Sequence, residues 1–127
     1  MANFHAVIWI DHQEAHVIRF GRSDAESEII KAPHVHLHHK EKEVGAGRAP
    51  EHPEFYEKVI TAAKDSGELL IVGPADAKLH LVKHIERKHP AMSARVVGVE
   101  TVDHPSDGQL LAHARQYFRA ADQMRAQ

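Results

Sequence analysis

The sequence predicts an α/β protein: a mixed five-stranded sheet with helices on its faces. Three observations carry this. The first forty residues are runs of Val, Ile, Trp and Phe separated by short polar breaks, the pattern of successive strands. From residue 53 the apolar spacing changes to that of a helix face. Short apolar runs then alternate with helical segments, which implies parallel strands joined by right-handed crossovers.

The elements follow in the order βββαβαβα. Phe4–Ile10 and Ala15–Phe20 are strands, and the polar Asp11-His12-Gln13-Glu14 between them is short enough to close a hairpin. Gly21-Arg22-Ser23-Asp24 is the next turn. A third strand begins at Glu28–Lys31 and is expected to resume through Val35 and Leu37, which alternate with His34, His36 and His38. Pro33 interrupts it, and proline is confined to edge strands or bulges, so this strand belongs at a sheet edge. Lys40–His52 is a long loop, charged and then glycine-rich. Pro53 suits a first helical position and Gly67 a stop. Between them Phe55, Tyr56, Val59, Ile60 and Ala63 share one helical face. Leu69–Val72 is a buried central strand. Gly73-Pro74 opens a second helix, with Leu81, Val82 and Ile85 inward, and His89-Pro90 ends it. Arg95–Val102 is the last strand. Ser106, followed three residues later by Gln109, forms a capping box. It starts a helix whose stripe is Leu110, Leu111, Ala114, Phe118 and Ala121.

The 127 residues suit one domain, 1–127, able to bury a core without staples. The absence of cysteine excludes a disulfide scaffold, a thiolate zinc site, a cysteine nucleophile and an iron–sulfur cluster. Histidine is the compositional oddity: 13, against 16 Lys+Arg and 18 Asp+Glu. Protonating all 13 would move the formal charge from −2 to +11, so the net charge is soft just below neutral pH. No secretory signal or membrane-spanning run is visible, so a cytoplasmic protein with no membrane partner is expected. The balanced charge argues against duplex DNA as a partner.

Three stretches carry a resemblance: HAVIWIDHQEAHVIRF (5–20), LLIVGPADAKLHLVKHIERKHP (69–90) and VVGVETVDHPSDGQLLAHARQYF (96–118). With the element order they cover nearly the whole chain. They resemble small bacterial stand-alone proteins of the translational-machinery group. That group is related to the middle domain of archaeal and eukaryotic peptide-chain release factors and of Pelota. The resemblance implies a ribonuclease H-like three-layer fold with sheet order 3-2-1-4-5 and strand 2 antiparallel. In release factors a Gly-Gly-Gln motif, in the loop before the first long helix, promotes peptidyl-tRNA hydrolysis. The corresponding loop here reads Gly45-Ala46-Gly47-Arg48, a glycine-rich tip without the glutamine. Gly108-Gln109 stands in a different loop. The departure counts against hydrolysis, whereas Pelota-like relatives lack the motif and act through ribosome contact.

Several constellations of residues could carry chemistry. His34, His36 and His38 would share one face of a strand, neighbours about 6.8 Å apart and the three spanning about 13 Å, too far for one ion at ~2.1 Å bonds. A zinc site there needs two of them with an outside ligand such as His39, Glu41 or His52; otherwise the tract is a titratable edge strand. His80 and His84 have i, i+4 spacing, but a metalloprotease motif would need Glu where Leu81 stands, so they are expected on the surface. Ribonuclease H-like enzymes hold magnesium with clustered carboxylates. Asp11, Glu54, Glu57, Glu100 and Asp103 are candidates, yet residues 6–10 lack the acidic residue expected in mid-strand, and Asp11 suits a turn. The helix N-termini near Gly73 with Lys78, and near Ser106 and Gly108, are candidate phosphate sites, with capping as the plainer alternative.

For RNA phosphates the candidates are Lys40, Lys42, Gly45, Gly47 and Arg48 in the loop, with Lys78, Lys83, Arg87 and Lys88 on the second helix. Phe55, Tyr56 and Phe118 look like core, which leaves no aromatic platform for bases. The expected protein is therefore a translation-associated accessory domain touching ribosome or tRNA phosphates. It has no cofactor and no catalysis of its own, because neither the Gly-Gly-Gln motif nor the acidic cluster is complete. The alternatives are a histidine-based metal- or pH-responsive binder and a residual peptidyl-tRNA hydrolase. An exposed edge strand at 34–38 could also pair two copies of the chain into a homodimer.

Overall fold

Alternation along the first two apolar runs sets the architecture. In a strand, successive side chains point to opposite faces, and in β1 (His5–Ile10) every residue from Ala6 to Ile10 is buried. Both faces of this strand must therefore be covered. β2 (Glu14–Phe20) and β3 (Ala25–Lys31) continue the sheet on one side. The chain then runs through α1 (Pro53–Ala63), β4 (Glu68–Gly73), α2 (Ala77–Lys88), the short α3 (Pro90–Ser93), β5 (Val96–Thr101) and α4 (Asp107–Arg125), with β4 and β5 extending the sheet on the other side of β1. The computed structural model describes residues 4–33 and 53–125, with side chains as far as 121.

The sheet order is β3-β2-β1-β4-β5, the order and class expected from the resemblance. β1 pairs antiparallel with β2 and parallel with β4, and β4 pairs parallel with β5. Ala6, Ile8 and Ile10 of β1, with Leu69 and Ile71 of β4, face α1, α2 and α3, where they meet Phe55, Val59, Leu81, Ile85 and Met92. Val7, Trp9, Leu70 and Val72 face the other way, onto Leu110, Ala114 and Phe118 of α4. Three layers result, with β1 and β4 at the centre. Phe55, Tyr56 and Phe118 are core residues, as their spacing predicts.

Beyond one-residue shifts at the ends of β1, β2, β4 and β5, three features differ from the sequence expectation. β3 starts at Ala25 rather than Glu28. Ala25-Glu26-Ser27 has no apolar alternation to announce a strand, but it is held by pairing to Phe20, Arg19 and Ile18 of β2. Arg19 then reaches both Glu26 and Glu28. α2 begins at Ala77, not at Gly73-Pro74, because Gly73 is still paired with Thr101 as the end of β4. His89-Pro90 ends α2 but also starts α3, with Pro90 at its first position, where a missing N–H costs nothing. β3 is an edge strand, as Pro33 implied, and it leaves Ile29 half exposed. The expected continuation through Val35 and Leu37 lies outside the described residues. Among the described residues no helix is long and apolar enough to cross a membrane.

Candidate functional site

The C-terminal ends of β1, β4 and β5 meet the start of α4, the place where open α/β sheets hold ligands. Asp11 forms the turn that leaves β1: its Oδ1 accepts the N–H groups of Gln13 at 2.8 Å and Glu14 at 2.9 Å. The turn residue expected at Asp11 is thus observed. The hairpin brings Trp9 opposite His16 on the α4 face, with ring centroids 5.5 Å apart. Trp9 donates its indole N–H to the Asp103 carbonyl at 2.7 Å, fixing the β5–α4 connection over the strand end.

His16 is the centre of this cluster. Its Nε2–H donates to Glu14 Oε2 and its Nδ1–H to Asp107 Oδ1, both at 2.8 Å. Satisfying both acceptors needs a proton on each nitrogen, hence the imidazolium. Burial pushes the His16 pKa down, but the hydrogen bonds to Glu14 and Asp107 outweigh it and the net shift is upward. Glu14 is lowered by its bond to His16 and then by Lys31, whose Nζ donates to Oε1 at 3.0 Å. A cavity of about 190 Å³ is lined by Trp9, Glu14, His16, His104, Pro105, Asp107 and Leu110. An opening of about 390 Å³ shares His104, Pro105 and Leu110 with it and adds Gln109 and His113.

On the far side of the turn, His12 Nε2–H donates to Asp76 Oδ1 at 2.8 Å, and His80 Nε2 lies 3.5 Å from the other Asp76 oxygen. The His12 hydrogen bond lowers the Asp76 pKa. His84, one turn beyond His80, behaves differently. It is buried, against the expectation of a surface pair, because its position faces α1 rather than solvent. Its Nε2–H donates to Glu57 Oε2 at 2.7 Å, and His89 Nε2–H reaches the same carboxylate at 2.9 Å. These two bonds, His84 first, lower the Glu57 pKa. Glu57 is therefore engaged with imidazoles, and Glu100 likewise accepts from His113 at 2.6 Å.

The phosphate-site candidates are held largely by contacts within the fold itself. Gly73 ends β4 where its Cα faces the Ile10 carbonyl; a Cβ there would lie 2.3 Å from that oxygen. Lys78 is buried and its ammonium donates to the Ala75 carbonyl, so it is turned into the protein. Ser106 and Gln109 form the capping box: Ser106 Oγ accepts the Gln109 N–H at 3.1 Å and Gln109 Oε1 the Ser106 N–H at 2.9 Å. Gly108 lies in the first turn of α4, between Asp107 and Gln109. Lys83, Arg87 and Lys88 are exposed on α2. His34, His36, His38, His39, Lys40, Lys42, Gly45, Gly47, Arg48 and His52 lie outside the described residues.

Sequence reasoning did not single out Trp9, His16, His104 or Asp107 as a group. The signal was present in part: Trp9 at the end of a strand, and Glu14 and His16 at i, i+2 on one face. Asp107 joins them from 91 residues away, which only the topology reveals.

No family model matches the sequence, and no curated protein matches it. Solved structures do. Pelota of Archaeoglobus fulgidus is 16% identical with a TM-score of 0.54, the match covering 84% of this chain and 28% of that one. Pelota of Thermoplasma acidophilum is 13% identical with a TM-score of 0.57, covering 82% and 29%. The archaeal translation termination factor aRF1 is 11% identical with a TM-score of 0.52, covering 80% and 30%. The chain thus spans less than a third of each of these proteins. At such identities the likeness is one of fold: this chain has the fold of a release-factor-like portion of Pelota and aRF1.

Proposed function

We propose that this protein is a translation-associated accessory domain that contacts ribosome or tRNA phosphates without catalysis of its own. The observation that supports it is the fold shared with aRF1, a translation termination factor, and with Pelota. Charge placement narrows where contact falls. Asp11, Asp76, Asp103 and Asp107 gather around the strand ends, and carboxylates there repel phosphate. We assign phosphate contact instead to Lys40, Lys42 and Arg48, with Gly45 and Gly47 between them in sequence. The exposed Lys83, Arg87 and Lys88 of α2 are a second positive surface.

The test is co-sedimentation with ribosomes in a sucrose gradient at low salt. Wild-type protein is expected in the ribosomal fractions, and charge reversal of Lys40, Lys42 and Arg48 to Glu should return it to the top. Binding should weaken as salt rises, each phosphate contact adding a slope of roughly 0.7–0.9 in log K against log salt. Wild-type protein that stays at the top of the gradient at low salt defeats the proposal.

A further inference from the structure

We infer that Glu57, His84 and His89 form a zinc site that ties α1 to the end of α2. This inference is independent of the translation proposal. Among the described residues these three are the one group whose metal-ligating atoms all lie within 4.8 Å of one another. Two imidazoles and a carboxylate are the donor set of three-ligand zinc sites, which leave a fourth position for water. Nitrogen-rich donors favour zinc over magnesium or calcium, which prefer all-oxygen shells.

Convergence distinguishes this cluster from the other histidine–carboxylate contacts. His16 also touches two carboxylates, but through opposite ring nitrogens, so its partners lie on either side of the ring and share no point. His12 and His80 meet opposite oxygens of Asp76, at 2.8 and 3.5 Å, whereas His84 and His89 both present Nε2 to the same Glu57 oxygen, at 2.7 and 2.9 Å. His84 is held rigidly: its side chain is 8% exposed and its ring sits 5.4 Å from that of Tyr56. Glu57 and His89 are the adjustable members, with side chains 45% and 34% exposed. Tetrahedral bonds of ~2.1 Å place ligand atoms roughly 3.4 Å apart, so admitting zinc asks the two His–Glu57 contacts to lengthen by about 0.5–0.7 Å. Glu57 borders an open groove of about 620 Å³ beside Arg19, Lys58 and Asp65, which gives a hydrated ion a path in.

The test uses the full chain without an affinity tag, stripped with a chelator. Its background carries His34, His36, His38, His39 and His52 replaced by Ser, so that the histidine-rich segment does not contribute. Calorimetry with zinc chloride should give one zinc per chain, with the His84 and His89 ring resonances shifting together in NMR spectra. Affinity should fall at least about tenfold in Glu57→Gln and further in His89→Ala. Glu57→Gln keeps the shape of the side chain, so it decides the matter even if His89→Ala folds poorly. Absence of zinc binding in this background overturns the inference. So does binding that leaves the two rings unshifted or that both variants retain in full.

Discussion

Gly73→Ala tests whether the strand-end geometry is as tight as it looks. An ideal Cβ on Gly73 would lie 2.3 Å from the Ile10 carbonyl oxygen, and real Cβ contacts essentially never fall under 3.0 Å. The backbone must therefore open by at least about 0.7 Å. Neither strand is free to yield. Ile10 and Val72 are fully buried, Gly73 pairs with Thr101, and its carbonyl accepts the Val102 N–H at 3.1 Å. Overpacking in such a place costs roughly 1–3 kcal/mol, and a strained or lost ladder hydrogen bond adds about 0.5–1.5 kcal/mol. We expect a loss of about 2–4 kcal/mol in urea melts, and a fall in Tm of roughly 6–20 °C for a chain of this size. Gly108→Ala is the matched control. Its nearest neighbour would be Ser106 Oγ at 4.0 Å, and it stands in the first turn of α4. There the same substitution should be neutral or stabilise by up to about 1 kcal/mol, through helix propensity alone. A Gly73→Ala protein within about 0.5 kcal/mol of wild type would refute the reasoning.

Phe118→Ala should cost about 3–5 kcal/mol, since Phe118 is 2% exposed and closes the α4 face against Phe20; a loss below about 1 kcal/mol by urea melt would contradict that packing. Ser106→Ala should cost about 0.5–2 kcal/mol. The cost should be non-additive with Gln109→Ala, because the two side chains serve one capping box; additive losses in a double-mutant cycle would count against it. His16 gives a pH dependence with a definite sign. Its folded pKa is raised above 6.5, so its contribution is full below that value and fades as pH rises through the folded pKa. Glu14, lowered from 4.5, contributes above that value and loses its part as pH falls through its own folded pKa. The stability gap between wild type and His16→Gln should thus be wider near ~pH 5.5 than near ~pH 8.5, and an equal gap at both would remove the ion-paired imidazolium from the account.

What was legible in the sequence follows from how local each signal is. The stripes of α1 and α4, the capping box at Ser106 and the apolar run Leu69–Val72 within β4 rest on neighbours within a few residues, and the structure bears them out. The start of β3 was not legible, because Ala25-Glu26-Ser27 is a strand only through its partners on β2. α2 was misplaced for a related reason: proline after glycine suggests a helix start, but β4 extends to Gly73 by pairing with β5. Burial of Lys78 and His84 was likewise invisible, since helix periodicity marks apolar faces and not which polar residue meets a neighbouring element.

The histidine count now has a physical interpretation that composition could not supply. All eight described histidines, at positions 5, 12, 16, 80, 84, 89, 104 and 113, have a ring nitrogen within 4.0 Å of a carboxylate. Most of these partners are distant in sequence: Glu68 with His5, Asp76 with His12, Asp107 with His16, Glu57 with His84 and His89. Protonation of these residues therefore puts positive charge beside existing negative charge instead of on bare surface. For His16, whose pKa rises because the hydrogen bonds to Glu14 and Asp107 outweigh burial, the imidazolium form links β2 to the start of α4 more firmly. The remaining five histidines, His34, His36, His38, His39 and His52, are clustered in sequence with Glu41, Glu43 and Glu51 but also with Lys40, Lys42 and Arg48. Their protonation adds up to five positive charges to a segment whose three cations are otherwise balanced by three carboxylates. The net-charge swing of the whole chain thus divides into a compensated part within the described fold and a part concentrated beside the proposed phosphate-contacting residues. Lowering pH should in consequence tighten ribosome co-sedimentation of the wild type. Replacing those five histidines with Ser should abolish that pH dependence while leaving binding at ~pH 8 intact. Persistence of the full pH dependence in the five-Ser variant would place the responsive charge elsewhere.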